Sequence, residues 1–288
     1  MTGKIIKGIG GFYYVESDGR VYSCKAKGFF RNDNIKPLIG DEVEISVIDE
    51  EKLEGSVDHI LPRRNELIRP ALANIDMIIV VQAFAKPAPQ LYLLDRYLVS
   101  IESLDIPIGI VFNKSDLNHK DYDEIYSSAG YKVFSTSVKT GEGLDELRQF
   151  IDGKCIAFAG PSGVGKSSIT NYLCPDASME TGVISRKIER GKHTTRHSEL
   201  FSLGGNTFIC DTPGFTSVLF NDIPSDRLRF YLPDIAGYEG KCRFNGCLHL
   251  AEPECAVKEA IASGELAGSR YEAYKKIYEE IYNQERRY

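Results

Sequence analysis

No stretch of this sequence approaches the roughly 20 consecutive apolar residues that a membrane-spanning helix needs. The longest apolar segment, Ile75 to Phe84, holds Asp76 and Gln82 and has the length of a strand. The amino terminus shows no apolar segment ahead of a small-residue cleavage site, so a cytoplasmic protein without a membrane partner is expected. Basic residues are not in excess: 35 Lys and Arg stand against 41 Asp and Glu, a net charge of −6. That balance argues against a chain coating nucleic acid over its whole surface, and it leaves room for a local basic patch. Seven cysteines, an odd number, are scattered along the chain and make no disulfide framework. Cys24, Cys155, Cys174 and Cys210 stand singly and read as ordinary core or surface residues. Internal repeats and low-complexity tracts are missing too. What remains is 288 residues, 42% of them hydrophobic, enough to build two or three domains.

The chain is organised around Gly160-Pro161-Ser162-Gly163-Val164-Gly165-Lys166-Ser167-Ser168, which satisfies G-x-x-x-x-G-K-[ST]. The apolar run Cys155–Ala159 before it predicts a buried parallel strand, and Lys166–Leu173 after it predicts a helix ended by Pro175. Strand, glycine loop and helix form the context in which backbone N–H groups and the helix dipole hold phosphate oxygens. Lys166 is expected on the outer phosphates and the Ser167 hydroxyl on Mg²⁺. A plain glycine turn would give neither the lysine nor the hydroxyl a packing role.

Residues 1 to about 66 predict an all-β barrel, with strands at Lys4–Ile9, Gly11–Glu16, Arg20–Lys25, Asp41–Ile48 and Gly55–Ile60. Five short strands at this spacing suit the OB-fold. Lys27, Phe29, Phe30 and Arg31 could stack on and pair with RNA, or the two phenylalanines could plug the barrel mouth. The first 70 residues carry 11 Lys/Arg against 12 Asp/Glu, so an RNA-binding face must be a patch. Arg63 to Pro70 reads as a polar linker. A domain over 67–220 follows, with strands at Met77–Ala83, Ile108–Phe112, Lys132–Ser135, Cys155–Ala159 and Thr207–Cys210 and helices at Leu91–Leu104, Asp121–Ala129 and Leu144–Ile151. This alternation predicts an α/β, mostly parallel sheet. Glu199–Leu203 and Thr207–Cys210 predict a hairpin adding an antiparallel edge strand. Residues 221–288 predict a polar helical domain whose last helix carries a docking stripe: Tyr271, Tyr274, Tyr278, Ile281 and Tyr282.

Two short motifs choose the base. Asn113-Lys114-Ser115-Asp116 follows a strand, and a carboxylate at its fourth position can accept hydrogen bonds from N1–H and the 2-amino group of guanine, a donor pair that adenine lacks. Asn113 would meet the base edge or brace loops, and the Lys114 stem would lie along the ring. Ser137-Val138-Lys139, after the next strand, could give a backbone N–H to the guanine O6 and the Lys139 stem to the ring. An ordinary strand-to-helix loop is the alternative there. Asp211-Thr212-Pro213-Gly214 can hold Mg²⁺ through Asp211 and the γ-phosphate through the Gly214 N–H. Thr195 or its neighbour Thr194 is expected to complete the Mg²⁺ shell, Thr195 being favoured; a strand edge is the other reading of the pair.

The motifs come in an unusual order, with base recognition ahead of the phosphate loop and the Asp211 segment last. The sequence therefore resembles the circularly permuted GTPases. With a barrel in front and a Cys/His module behind, it closely resembles the ribosome small-subunit-dependent GTPase A family, RsgA (YjeQ/YloQ), over nearly its whole length. The resemblance implies a GTP hydrolase with an RNA-facing barrel, stimulated by the small ribosomal subunit and serving its late maturation. Partners would be that subunit, its rRNA and GTP or GDP, with the protein a monomer.

Cys242-x₄-Cys247-x-His249-x₅-Cys255 supplies three thiolates and an imidazole, a tetrahedral set for one structural zinc ion. The resembled family carries this arrangement at matching positions; stray thiols near a histidine are the alternative. His59, His119 and His197 have no comparable neighbours in sequence. Phe215 stands where many GTPases have a water-orienting glutamine, and the family is likewise apolar there. His193 is the hypothesis for that task, beside Lys166 and Thr195 as catalytic residues. Arg186 to Arg196 holds five Lys/Arg against one Glu, either a solvated loop or a segment that meets RNA phosphates. Two readings from other classes stay open: a nucleotide-gated ribosome-binding protein with incidental hydrolysis, and a P-loop ATPase or kinase.

Overall fold

A computed structural model describes residues 1–27, 36–117, 121–177, 199–211 and 223–286, without the side chains of Asp176 and Asp211. Phe29, Phe30, Arg31, His119, His193, Thr194, Thr195, His197, Gly214 and Phe215 lie outside the described residues, as does the basic stretch 186–196. The described residues fall into two compact units. The first takes those within Met1–Ile78, Leu144–Ala159 and Gly165–Thr216; the second, those within Ile79–Gly143, Gly160–Val164 and Ser217–Tyr288.

The first unit begins with β1 (Thr2–Ile9), β2 (Phe12–Ser17), β3 (Arg20–Ala26), β4 (Glu42–Asp49) and β5 (Glu54–Ile60). They run in the order β1-β2-β3-β5-β4, and β4 pairs back onto β1, which closes the five-stranded OB-fold barrel. Alternation puts Ile5, Val15, Tyr22, Cys24, Val43, Ile45 and Val57 inside.

The stretch expected to be a linker is instead anchored. Arg63 grips the fully buried Asp41 carboxylate through Nε at 2.7 Å and Nη2 at 2.9 Å, and Nη2 also donates to the Lys36 carbonyl. β6 (Glu66–Ile68) and β7 (Ala71–Ala73) then form a small antiparallel hairpin. A buried carboxylate needs such a partner, and Arg63 meets that need.

In the same unit β11 (Cys155–Ala159) is parallel to β13 (Thr207–Asp211), and β12 (Glu199–Gly204) is antiparallel to β13. β12 is not an edge strand as expected. Its outer side meets β1 at Lys7 and Glu199, where the two side chains form an ion pair of 2.8 Å.

β8 (Met77–Ala83) starts in the first unit and enters the second, where it lies beside β9 (Ile108–Asn113). All of its residues are buried, as a strand covered on both faces requires. β10 (Lys132–Thr136) runs parallel to β9. α1 (Leu91–Glu102) and α2 (Tyr122–Ser128) flank these strands in sequence. In the first unit α3 (Leu144–Ile151) precedes β11, and α4 (Lys166–Leu173) follows its glycine loop.

The carboxyl-terminal part of the second unit has a 3₁₀ helix at Ser225–Tyr231, α5 (Pro233–Ala236), α6 (Ala256–Ser263) and α7 (Gly268–Glu285). The stripe on α7 docks within the unit: Tyr274, Ile277 and Ile281 are buried in a core shared with Val99, Leu228, Leu232 and Val257, while Tyr282 stays exposed.

Candidate functional site

The glycine loop leaves β11 through Gly160 at φ +127°, a conformation that disfavours any side chain. A Cβ there would sit 2.2 Å from the Val81 carbonyl oxygen, so the loop can pass β8 at this height only as glycine. Gly165 caps α4 at φ +105°, which starts the helix at Lys166 and puts Lys166 and Ser167 on its first turn. Ile169 N–H already donates to the Gly165 carbonyl at 2.9 Å. The first helical N–H groups have no partner inside a helix and can face an anion.

The tetrapeptide Asn113–Asp116 is tied to this loop. Asn113, 2% exposed, donates from Nδ2 to the Val164 carbonyl at 2.9 Å, and its Oδ1 accepts from Thr136 Oγ1 at 3.4 Å. The Lys114 ammonium donates to the Gly163 carbonyl at 2.7 Å and to the Lys86 carbonyl. Asn113 and Lys114 therefore brace loops, one of the two roles expected for Asn113. Burial draws the Lys114 ammonium below its ordinary pKa, while Asp116 works against that shift.

Asp116 is oriented from the next loop. Ser137 Oγ donates to Asp116 Oδ1 at 2.8 Å, and the Lys139 ammonium lies 3.5 Å from Oδ2. The Ser137 hydroxyl foremost, with Lys139 behind it, holds the Asp116 carboxyl below the usual carboxylate range. An ionised carboxylate is purely an acceptor, which is what a pair of N–H donors on a base requires. The Ser137 N–H donates to the Glu142 carbonyl at 3.0 Å, and Ser115 Oγ bonds the Glu142 carboxylate at 2.8 Å. Thr136 and Glu142 were not picked out from sequence. The parallel register setting Thr136 beside Asn113 is the signal that would have found the first.

The four residues of the Cys/His motif converge. Ligand atoms of Cys242, Cys247, His249 and Cys255 lie within 4.8 Å of one another, the one such group among the described residues. His249 Nδ1 is 3.5 Å from Cys242 Sγ and 3.3 Å from Cys255 Sγ, and those sulfurs are 3.9 Å apart. A tetrahedral ion with sulfur at about 2.3 Å and nitrogen at about 2.0 Å needs separations of about 3.8 Å and 3.5 Å. The set fits a metal ion. His249 takes φ +60° to turn its ring inward. The N–H groups of Ala256 and His249 donate to Cys242 and Cys247 sulfur, each at 3.3 Å, which favours thiolates. Without a cation, burial pushes the Cys247 thiol up to about 12 and draws the His249 imidazole below its ordinary value. A divalent ion reverses the thiol shift outright.

Two tyrosines missed as site residues hold the metal loop. Tyr271 and Tyr274 donate to the His249 and Leu248 carbonyls at 2.7 and 2.5 Å. They read from sequence as docking residues, and they are docked by their rings while their hydroxyls carry these bonds.

The comparisons with known proteins cover the same ground. Residues 60–221 match the model of the RsgA GTPase, and residues 2–55 match that of the RsgA N-terminal domain. The small ribosomal subunit biogenesis GTPase RsgA of Agathobacter rectalis is 52% identical, the alignment covering 99% of this chain and all of that protein. Its namesake in Alkaliphilus metalliredigens is 46% identical, with 99% of each chain covered. The crystal structure of YloQ, described as a circularly permuted GTPase, superposes with a TM-score of 0.80 at 38% identity, covering 98% of this chain and 95% of that one. YjeQ from Thermotoga maritima gives 0.81 at 34% identity, over 97% and 98%. With both matched segments in the expected order and full-length relatives in sequence and fold, the chain belongs to the RsgA family of circularly permuted GTPases.

Proposed function

We propose that this GTPase binds the small ribosomal subunit and acts in its late maturation, with hydrolysis stimulated by the subunit. The names of its relatives and the barrel in front of the GTPase domain support the reading. Three functional domains serve it: an RNA-facing barrel over 1–66, the GTPase over 67–220 and a metal-bound helical domain over 221–288.

The observation that carries the nucleotide assignment is the Asp116 carboxylate, held ionised by Ser137 and Lys139 and joined to the glycine loop by Asn113 and Lys114. Guanine pairs with Asp116, and a Val138 or Lys139 N–H meets its O6. Gly160 to Ser168 cradle the phosphates, with Pro161, Ser162, Gly163, Val164 and Gly165 contributing backbone. Lys166 neutralises charge on the outer phosphates as water attacks the γ-phosphorus and the bond to GDP breaks. Ser167, Thr195 and Asp211 would hold Mg²⁺, which supplies charge neutralisation when bound. The Gly214 N–H meets the γ-phosphate, and His193 orients the attacking water.

Zinc is the ion assigned to Cys242, Cys247, His249 and Cys255, because three thiolates and an imidazole in a closed set suit it. It stays structural. The basic segment 186–196 meets RNA phosphates, so association weakens steeply with salt. No described helix is long and apolar enough to cross a membrane, and we assign the protein to the cytoplasm as a monomer.

Turnover of GTP with purified small subunits, large subunits or neither tests the proposal; equal rates in all three overturn the stimulated role. Asp116→Ala is expected to weaken GDP binding by 100-fold or more, on the order of two charge-assisted hydrogen bonds lost, with little change for ADP. Comparable ATP and GTP competition in the wild type would favour the ATPase or kinase reading instead. His193→Ala at saturating subunits leaves the rate unchanged if His193 has no part in catalysis.

A further inference from the structure

We propose that metal binding at the Cys₃His cluster and guanine-nucleotide binding at the end of β9 are coupled through the first turns of α7, with Arg270 as the positioning residue. The inference rests on the nucleotide and metal assignments just made.

Arg270 is a charged side chain only 1% exposed. Its guanidinium is held by Asp95 of α1 at 2.5 Å and by both oxygens of Asp234 of α5 at 2.9 and 2.8 Å. It lies over the Tyr126 ring of α2 at 5.4 Å and over the Tyr131 ring at 5.8 Å. Tyr126 packs on Phe112, with ring centroids 6.0 Å apart, and Phe112 immediately precedes Asn113. Tyr122 stacks on Phe112 as well, at 6.2 Å. The strand end that presents Asn113 to Asp116 thus leans on an aromatic pair that a buried cation caps. Such a cation cannot drift: leaving either carboxylate would strand an unpaired charge in the interior.

Tyr271, the next residue, and Tyr274, one turn further along the same helix, reach the metal loop. They bond the carbonyls of His249 and Leu248, between and beside two of the four metal-ligating positions. Residues 242–255 contain no helix or strand. An ion would tie three thiols and an imidazole of this irregular segment together, so metal loading shifts the loop between a fixed and a looser arrangement. Loosening takes the carbonyls from two hydroxyls on the turn that carries Arg270. This is the two-state element that coupling requires, because each ligand favours the same seating of α7.

Linkage makes the effect reciprocal: the factor by which metal tightens GDP equals the factor by which GDP tightens metal. Using the full chain, a fluorescent GDP analogue is titrated into zinc-loaded and chelator-stripped protein, and zinc affinity is measured against a chromophoric chelator with and without GDP. A shared factor of roughly 5 to 30 is expected. If the stripped chain does not stay folded, GDP-dependent slowing of zinc release from the loaded chain reports the coupling. In Arg270→Met the factor should fall towards one while each ligand still binds. A merely structural arginine would lower thermal stability and leave the factor intact. Should Arg270→Met fail to fold, Tyr271→Phe carries the same expectation in smaller measure. Equal GDP affinity with and without zinc, or GDP-independent zinc release, overturns the coupling. A loaded wild type that binds no GDP, or a chain that takes up no zinc, overturns the underlying assignment and the coupling with it.

Discussion

The barrel and the Cys₃His region are both small, and they are held together by different means. In the barrel every strand has two neighbours, the last closing on the first at Thr2–Glu44, Gly3–Val43 and Lys4–Glu42. Its interior is a set of apolar side chains, with Ile5, Val15, Cys24, Val43 and Val57 fully buried. The stretch from Ser225 to Cys255 has a 3₁₀ helix, the four-residue α5 and then irregular turns. Its buried residues Leu228, Leu232 and Ile235 share a core with α7, and Cys247 and Cys255 belong to both that core and the metal set. A closed sheet satisfies its own backbone. An irregular loop does not, and here two of its carbonyls are fixed by tyrosine hydroxyls beside a set of side chains that could hold an ion.

The largest effect that could break this contrast is metal removal. Chelation, or Cys255→Ser, should cost the carboxyl-terminal region on the order of 10 kcal/mol of apparent stability. Hydrogen exchange would show protection lost over 240–260 and kept in β1 to β5. Equal loss in both regions would mean that the barrel does not stand by itself. Next in size is Ile5→Ala, which opens a cavity among fully buried neighbours and should cost the barrel about 2–5 kcal/mol in denaturant unfolding. Zinc affinity should not move.

The smallest effect sharpens the contrast through pH. Hydrogen bonds from Ser46 above all, then Lys27 and Ser56, hold the Asp58 carboxyl down to about 2. A carboxyl depressed in the folded state stabilises above its unfolded pKa of about 3.9, and that share is lost as pH falls towards 2. Protons compete for the metal-binding thiolates well before that, so acid should open the metal region first. Asp58→Asn is expected to cost about 1 kcal/mol at neutral pH, discounted for solvent, and to flatten the barrel's acid limb in a pH series of melting temperatures.

Much of this was legible in the sequence because it is local. Met77–Ala83, Leu144–Ile151, Cys155–Ala159 and Lys166–Leu173 have the bounds that their apolar spacing and breakers predict. The Cys/His spacing was readable because ligand chemistry restricts which residues can gather round an ion. What stayed hidden depends on partners far along the chain. Arg63 looks like part of a linker until Asp41 is seen buried beneath it. β12 looks like an edge because one contact with β1, at Lys7 and Glu199, decides otherwise. Nothing in Gly268-Ser269-Arg270 announces a buried cation, since its carboxylates stand 36 and 175 positions away. Hydrophobic periodicity cannot report a charge inside a core.

The tie-back of Val164 and Gly163 by Asn113 and Lys114 has a kinetic consequence. With two of its carbonyls anchored by side chains, half of the glycine loop is shaped before any nucleotide arrives. Little ordering of that half is left to the encounter, so GDP should associate in one phase whose rate climbs linearly with concentration. Release, rather than capture, is then the stage at which a partner can set how long the complex lasts.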